Sequence, residues 1–161
     1  MAKKMTIPEY YLELDEHNHP VLTVVREYKC EEDLCKKYSN MVRGLNEWFR
    51  LDKSGIERVF IIGYNMNLYP VGVFELSRGS STHFYYSNRE LGIVLLLMGA
   101  EQFTIFHNHP AKILKSSQED LDTLETIEEL SELLEIKLNN SVIVTEGGFY
   151  LEKDGTVWTV D

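Results

Sequence analysis

Hydrophobic positions along this chain change their spacing several times, and each change marks an element. Arg58 to Tyr64 and Val71 to Leu76 are short apolar runs rich in β-branched and aromatic residues, separated by the turn-prone Asn65-Met66-Asn67. That pattern predicts two strands joined as a hairpin. Ser87-x-x-Glu90 has the form of a helix capping box, and it opens an apolar run to Met98 that Gly99-Ala100 brings to an end. Phe103 to Phe106 predicts a buried strand. From Ser117 to Glu135 the residues Leu121, Leu124, Ile127, Leu130 and Leu134 recur at spacings of three and four, as on the apolar face of an amphipathic helix. Val142 to Leu151 reads as a closing hairpin that turns near Gly147-Gly148. Ahead of these, Val21 to Glu27 predicts a strand, and Glu31 to Arg50 a helix carrying Leu34, Tyr38, Met41, Leu45, Trp48 and Phe49.

Strands and helices in this order predict an α/β fold, a single domain with a mixed sheet packed between helices. Residues 1–52 are expected to form a strand and helix extension packed on a core of residues 53–161. A chain of 161 residues with 43% hydrophobic content is large enough to bury a full core. Its longest apolar run, Ile93 to Met98, is far shorter than the roughly 20 residues needed to span a bilayer. No apolar stretch follows Met1-Ala2-Lys3-Lys4-Met5, so no membrane partner and a cytoplasmic location are expected. Cys30 and Cys35 are the only cysteines and are read as ordinary reduced thiols. The net charge of −10 speaks against a general nucleic-acid binder, which would present a basic face to phosphates. Lys112, Lys115, Arg78 and Arg89 are the residues from which a local basic rim would be built, against the simpler reading of solubilising surface charge.

The candidate chemistry lies where the third predicted strand ends. His107-Asn108-His109-Pro110 is followed by Ser117 and Asp120, giving two imidazoles, a hydroxyl and a carboxylate within fourteen residues. Residues two apart on a strand face the same way, so both imidazoles can reach one metal ion. Asp120, in the first turn of the following helix, can complete a His, His, Asp set with a fourth position left for water, as in a catalytic zinc site. Ser117-x-x-Asp120 is also close to a capping box, and the serine can cap the helix and serve the site together. The tetrapeptide occurs twice. His17-Asn18-His19-Pro20 has Glu27 where the serine would be required, and Asp15, Glu16 and His17 mark it as a polar surface turn before a strand.

The order of these residues resembles the JAB/MPN metallopeptidase family, also called JAMM, and within it the RadC-like branch. The branch has His-Asn-His-Pro with a serine ten residues and an aspartate thirteen residues after the first histidine, and His107, Ser117 and Asp120 fit both distances. Phe74-Glu75-Leu76-Ser77-Arg78-Gly79-Ser80 is similar to its strand-end motif, with a glutamate four residues before a glycine, and Asn88-Arg89-Glu90 stands where Pro-Arg-Glu is usual. The resemblance implies a JAB/MPN domain of cytidine-deaminase-like architecture and a zinc-dependent hydrolase of peptide or isopeptide bonds. His107, His109 and Asp120 would be metal ligands, Glu75 the general base and Ser117 the oxyanion donor. Zinc lowers the pKa of a water it holds to about 7 and polarises the carbonyl under attack. The expected partner is a peptide or protein substrate, and nothing in the sequence separates a ubiquitin-like tail from another amide. The alternative from a different class is a DNA-repair-associated or mobile-element protein, or a metal-binding scaffold without peptidase activity. Three departures mark this chain. Ala111-Lys112-Ile113 replaces Ser-Gly-Asp, Ser116 replaces a proline, and Asn139-Asn140-Ser141 replaces the Asp-His that often follows the last helix.

Overall fold

The structure, a computed structural model, describes residues 3–33, 35–81 and 85–160. Eight strands are described: β1 (Lys4–Leu14), β2 (Pro20–Glu31), β3 (Arg58–Tyr64), β4 (Pro70–Arg78), β5 (Gln102–Asn108), β6 (Lys137–Thr145), β7 (Gly148–Leu151) and β8 (Thr156–Thr159). The helices are α1 (Tyr38–Phe49), α2 (Asn88–Met98) and α3 (Gln118–Leu134). All the strands join one sheet in the order β2-β1-β4-β3-β5-β6-β7-β8. The sheet is mixed, because β1 with β4 and β5 with β6 run parallel while the remaining neighbours run antiparallel.

Period-two alternation explains how one sheet serves two layers of helix. Along β3, Phe60, Ile62 and Tyr64 belong to one core cluster with Met41, Val42 and Leu45 of α1, while Val59 and Ile61 belong to another with Leu91, Val94 and Leu95 of α2 and Ile127 of α3. On β5, Phe106 joins the first cluster and Phe103 and Ile105 the second. Full burial of side chains such as Phe60, Phe106 and Ile61 contributes about 1.5–3 kcal/mol each, which fixes the register: a slip of one residue would exchange the two faces. The α/β arrangement with a mixed sheet between helices is thus the observed fold.

The N-terminal third departs from expectation. β1 was not anticipated, and it forms a long hairpin with β2. Only Ile7 of β1 is fully buried, so no alternating apolar pattern announced it. It adds to the sheet beside β4, where glycine at position 72 leaves room for the Tyr10 ring. β2 continues to Glu31, so α1 starts at Tyr38, later than the expected Glu31, and Leu34 lies outside the described residues. The turn between them brings the Cα atoms of Cys30 and Cys35 to 6.3 Å, and the two sulfurs are bonded. That corrects the reading of both as reduced thiols, since the spacing falls in the range a disulfide requires. Among the described residues, no helix is long and apolar enough to cross a membrane.

Candidate metal centre

Both site histidines come from the end of β5, where the backbone leaves the sheet. His107 is the last-but-one residue of the strand, pairs with Val59 of β3 and Ile143 of β6, and is 2% exposed. His109 follows one residue beyond, and its backbone N–H still donates to the Val144 carbonyl, which carries the strand direction through to the second imidazole. The two rings lie 5.1 Å apart between centroids.

The turn that follows is built without glycine. Lys112 adopts φ 62°, the left-handed conformation that glycine takes most cheaply, and its N–H donates to the His109 carbonyl. This turn places the Ile113 carbonyl 2.8 Å from Nδ1 of His109. With Nδ1 donating to that carbonyl, Nε2 is the nitrogen turned to Asp120, 3.0 Å from its Oδ2: the protonated ring donates to both partners, and the neutral ring has a lone pair on Nε2 to offer a metal. Burial pushes the His109 imidazole down, but its bonds to Asp120 and Ile113 and the nearby charges of Asp120 and Glu57 outweigh burial and raise its pKa.

Asp120 is brought to the histidines by the start of α3. Ser117 is the N-cap: its hydroxyl accepts from the Asp120 N–H at 3.0 Å, and Oδ2 of Asp120 accepts from the Ser117 N–H at 2.8 Å, a reciprocal capping box. The hydroxyl oxygen of Ser117 is thereby fixed while its O–H remains a donor. Burial raises the Asp120 carboxyl, but the hydrogen bond from His109, the charge of His107 and the Ser117 N–H overcome it and lower its pKa to about 2. Ligand atoms of His107, His109 and Asp120 all lie within 4.8 Å of one another, and this is the group among the described residues able to hold a metal ion. Two imidazoles and a carboxylate, all largely buried, suit a divalent transition metal with a fourth position open.

The glutamate at this site is not Glu75. In the β3–β4 register Glu75 lies opposite Phe60, whose ring is in the α1 layer, whereas His107 lies opposite Val59, whose side chain is in the α2–α3 layer. The Glu75 carboxylate is held by Arg58 and by Arg78, and the Arg58 guanidinium sits over the Phe60 ring and donates to the Phe49 carbonyl. Glu75 therefore belongs to the other face of the sheet and corrects the expectation that it sits beside the metal. Glu57, just before β3, lines the same cleft as His109 and Ser117, is 8% exposed, and contributes its charge to His109. Its backbone extends the β3–β4 pairing, with Glu57 N donating to the Ser80 carbonyl at 2.7 Å and Gly79 N to the Glu57 carbonyl at 2.8 Å.

Asn108, between the histidines, explains how Glu57 is held. Its buried side chain accepts from the Arg58 N–H at 2.7 Å and donates to the Ile56 carbonyl at 2.9 Å, clamping the residues on either side of Glu57. One tetrapeptide thus supplies two imidazoles and fixes the backbone that carries the carboxylate.

Sequence reasoning missed a second acid. Glu152, directly after β7, has a side chain 1% exposed with Oε1 2.8 Å from Nε2 of His107. Hydroxyls of Ser116 and Ser141 donate to its two oxygens at 2.9 and 2.8 Å. As the end of a closing hairpin it carried no sign of burial. The earlier copy of the tetrapeptide behaves as expected, a surface turn between β1 and β2.

A strand end and a helix start on a mixed-sheet α/β domain, together presenting His, His and Asp to one point, define a class of domain able to hold a metal ion. The model of the RadC-like JAB domain matches residues 32–155, most of the chain, and the chain belongs to that family. No curated protein matches it.

Proposed function

We propose that this domain is a zinc-dependent hydrolase of peptide or isopeptide bonds, and the observation that carries the reading is the convergence of His107, His109 and Asp120 within 4.8 Å. Zinc fits two imidazoles and one carboxylate with a position to spare, and when bound it supplies a Lewis acid and a water of lowered pKa. The chain's own residues do the rest. Glu57, in the cleft beside His109, takes the proton from the attacking water and delivers it to the leaving amine, a role that general acid–base groups perform for about 10² to 10⁴ in rate. Ser117, with its oxygen fixed by the cap, directs its O–H at the oxyanion that forms on the attacked carbonyl, worth roughly 3–4 kcal/mol for such a donor. Pro110, Ala111 and Ile113 give the cleft an apolar wall and Lys115 a cationic edge, which suits an extended peptide segment with an acidic group.

The DNA-associated alternative draws no support from the charged rim. Lys112 is paired with Glu146 and Arg78 with Glu75, so two of the four basic residues already have acidic partners. A screen of metal-loaded protein against peptides and isopeptide-linked ubiquitin-like conjugates tests the proposal. Hydrolysis that is abolished by a chelator and by Glu57→Gln is the expected result. A metal-loaded protein that cleaves none of them, yet binds DNA with a steep salt dependence, would replace this reading with the alternative.

A further inference from the structure

The chain departs from the RadC-like pattern at Ser116 and at Ser141, and both hydroxyls converge on a third residue, Glu152. A carboxylate with a side chain 1% exposed is costly to bury unless its lone pairs are satisfied by donors. Ser116 binds one oxygen, while Ser141 and Nε2 of His107 converge on the other, at 2.9, 2.8 and 2.8 Å. The Glu152 N–H donates to the Ser141 carbonyl, which anchors the acid's backbone to β6 as well. Glu152 is outside the set of groups whose ligand atoms lie within 4.8 Å of one another, so it touches a ligand without being one.

We propose that Glu152, held by Ser116 and Ser141, is the positioning residue for His107: it accepts the hydrogen bond from Nε2–H, fixes the ring and its tautomer, and so leaves the other ring nitrogen free for the metal. The inference rests on the metal-site reading above. It gives the two imidazoles different outer partners, the Ile113 carbonyl on Nδ1 of His109 and a carboxylate on Nε2 of His107. A carboxylate behind a ligating histidine raises the basicity of the ring and stiffens it, and removing such a partner weakens metal binding about 10- to 100-fold. The serines matter because they aim the carboxylate and leave it one orientation.

The test compares wild type with Glu152→Ala, Glu152→Gln and Ser116→Ala/Ser141→Ala by zinc titration against a competing chelator. Long-range ¹H–¹⁵N spectra of the histidine rings are recorded on the same metal-free proteins. Expected are affinity lowered about 10- to 100-fold in Glu152→Ala with one zinc still bound at saturation, and recovery of most of it in Glu152→Gln, whose amide oxygen still accepts from Nε2. In metal-free wild type the neutral His107 ring carries its proton on Nε2, and Glu152→Ala loses that preference. Affinity within twofold of wild type in Glu152→Ala, loss of the zinc altogether as in His107→Ala, or a wild-type proton on Nδ1 would each overturn the proposal. Should wild type bind no zinc, the metal-site reading fails, and the ring spectra still decide whether Glu152 sets the His107 tautomer.

Discussion

The chain contains His-Asn-His-Pro twice, and the two copies differ less in the histidines than in what faces them. The rings of His17 and His19 lie 6.1 Å apart and those of His107 and His109 5.1 Å, so each copy brings two imidazoles close. At the first copy both side chains are more than two-thirds exposed, and the neighbouring acid, Asp15, spends one oxygen on the backbone N–H groups of His17 and His19. At the second the side chains are 3% and 10% exposed, with a helix start delivering Asp120 to one ring and a strand end delivering Glu152 to the other. The middle residue divides them too. Asn18 takes φ 61° in the hairpin turn, whereas Asn108 is in extended strand with its amide buried between Ile56 and Arg58. The capacity to hold a metal is therefore a property of the fold around the tetrapeptide, and the tetrapeptide alone makes a turn as readily as a pair of converging imidazoles.

The largest contrast should appear between the acids. Asp120→Ala should leave no stoichiometric zinc on protein at micromolar concentration, while Asp15→Ala should leave zinc unchanged and loosen only the hairpin; inductively coupled plasma mass spectrometry reads both. If the two variants lose metal equally, the separation of the copies collapses. Next in size is the pair of glutamates. Glu57→Gln should lower the rate of any amide hydrolysis by about 10² to 10⁴ with zinc retained, and Glu75→Gln should leave the rate within a few fold, since its carboxylate serves Arg58 and Arg78 on the other face.

The two asparagines give a smaller effect on stability. Asn108→Ala removes the acceptor of the part-buried Arg58 N–H and one of the two donors to the Ile56 carbonyl, which keeps the Ser54 hydroxyl, and should cost about 1–3 kcal/mol in chemical denaturation. Asn18→Gly should be close to neutral, because glycine tolerates the positive φ of the turn. Equal losses would mean that Asn108 does not clamp the strand as described.

The pH dependence of the metal-free protein is the mildest of these effects. The Asp120 carboxyl, lowered to about 2 from 3.8, contributes stability that is present above about pH 4 and is lost as pH falls toward 2. The His109 imidazole is raised above 6.5, so its contribution is complete below that value and fades as pH rises through its folded pKa. Melting temperatures across this range should show both limbs in wild type, and in Asp120→Asn no acid limb and a reduced alkaline one. An unchanged profile in that variant would remove the Asp120–His109 pair from the account.

The strands and helices that frame the site were legible because their apolar residues are buried with the expected period. β3, β5 and α2 follow the predicted ranges within a residue or two, and α3 begins at the serine its pattern named. β1 was not legible, for only Ile7 is buried, the other residues are exposed or half-buried without a regular alternation, and backbone pairing to β2 holds it. β8 escaped for the same reason, all four residues being exposed. Within the site, spacing was enough to bring His107, His109 and Asp120 together and to put Ser117 at the start of α3. The glutamate, taken from the resemblance to a strand-end motif, was placed on Glu75, whereas a register shift between Val59 and Phe60 and the alternation of β3 against β4 decide which face an acid takes, and neither is written in a motif. Glu57 lies in Gly55-Ile56-Glu57, which reads as loop until Asn108 is seen to hold it.

The most direct test is the metal content of the protein purified without added metal, measured for wild type, His17→Ala/His19→Ala and His107→Ala/His109→Ala. The account predicts one zinc per chain in wild type and in the first variant, and none in the second. Zinc retained without His107 and His109, or wild type that stays metal-free after incubation with zinc, would contradict it.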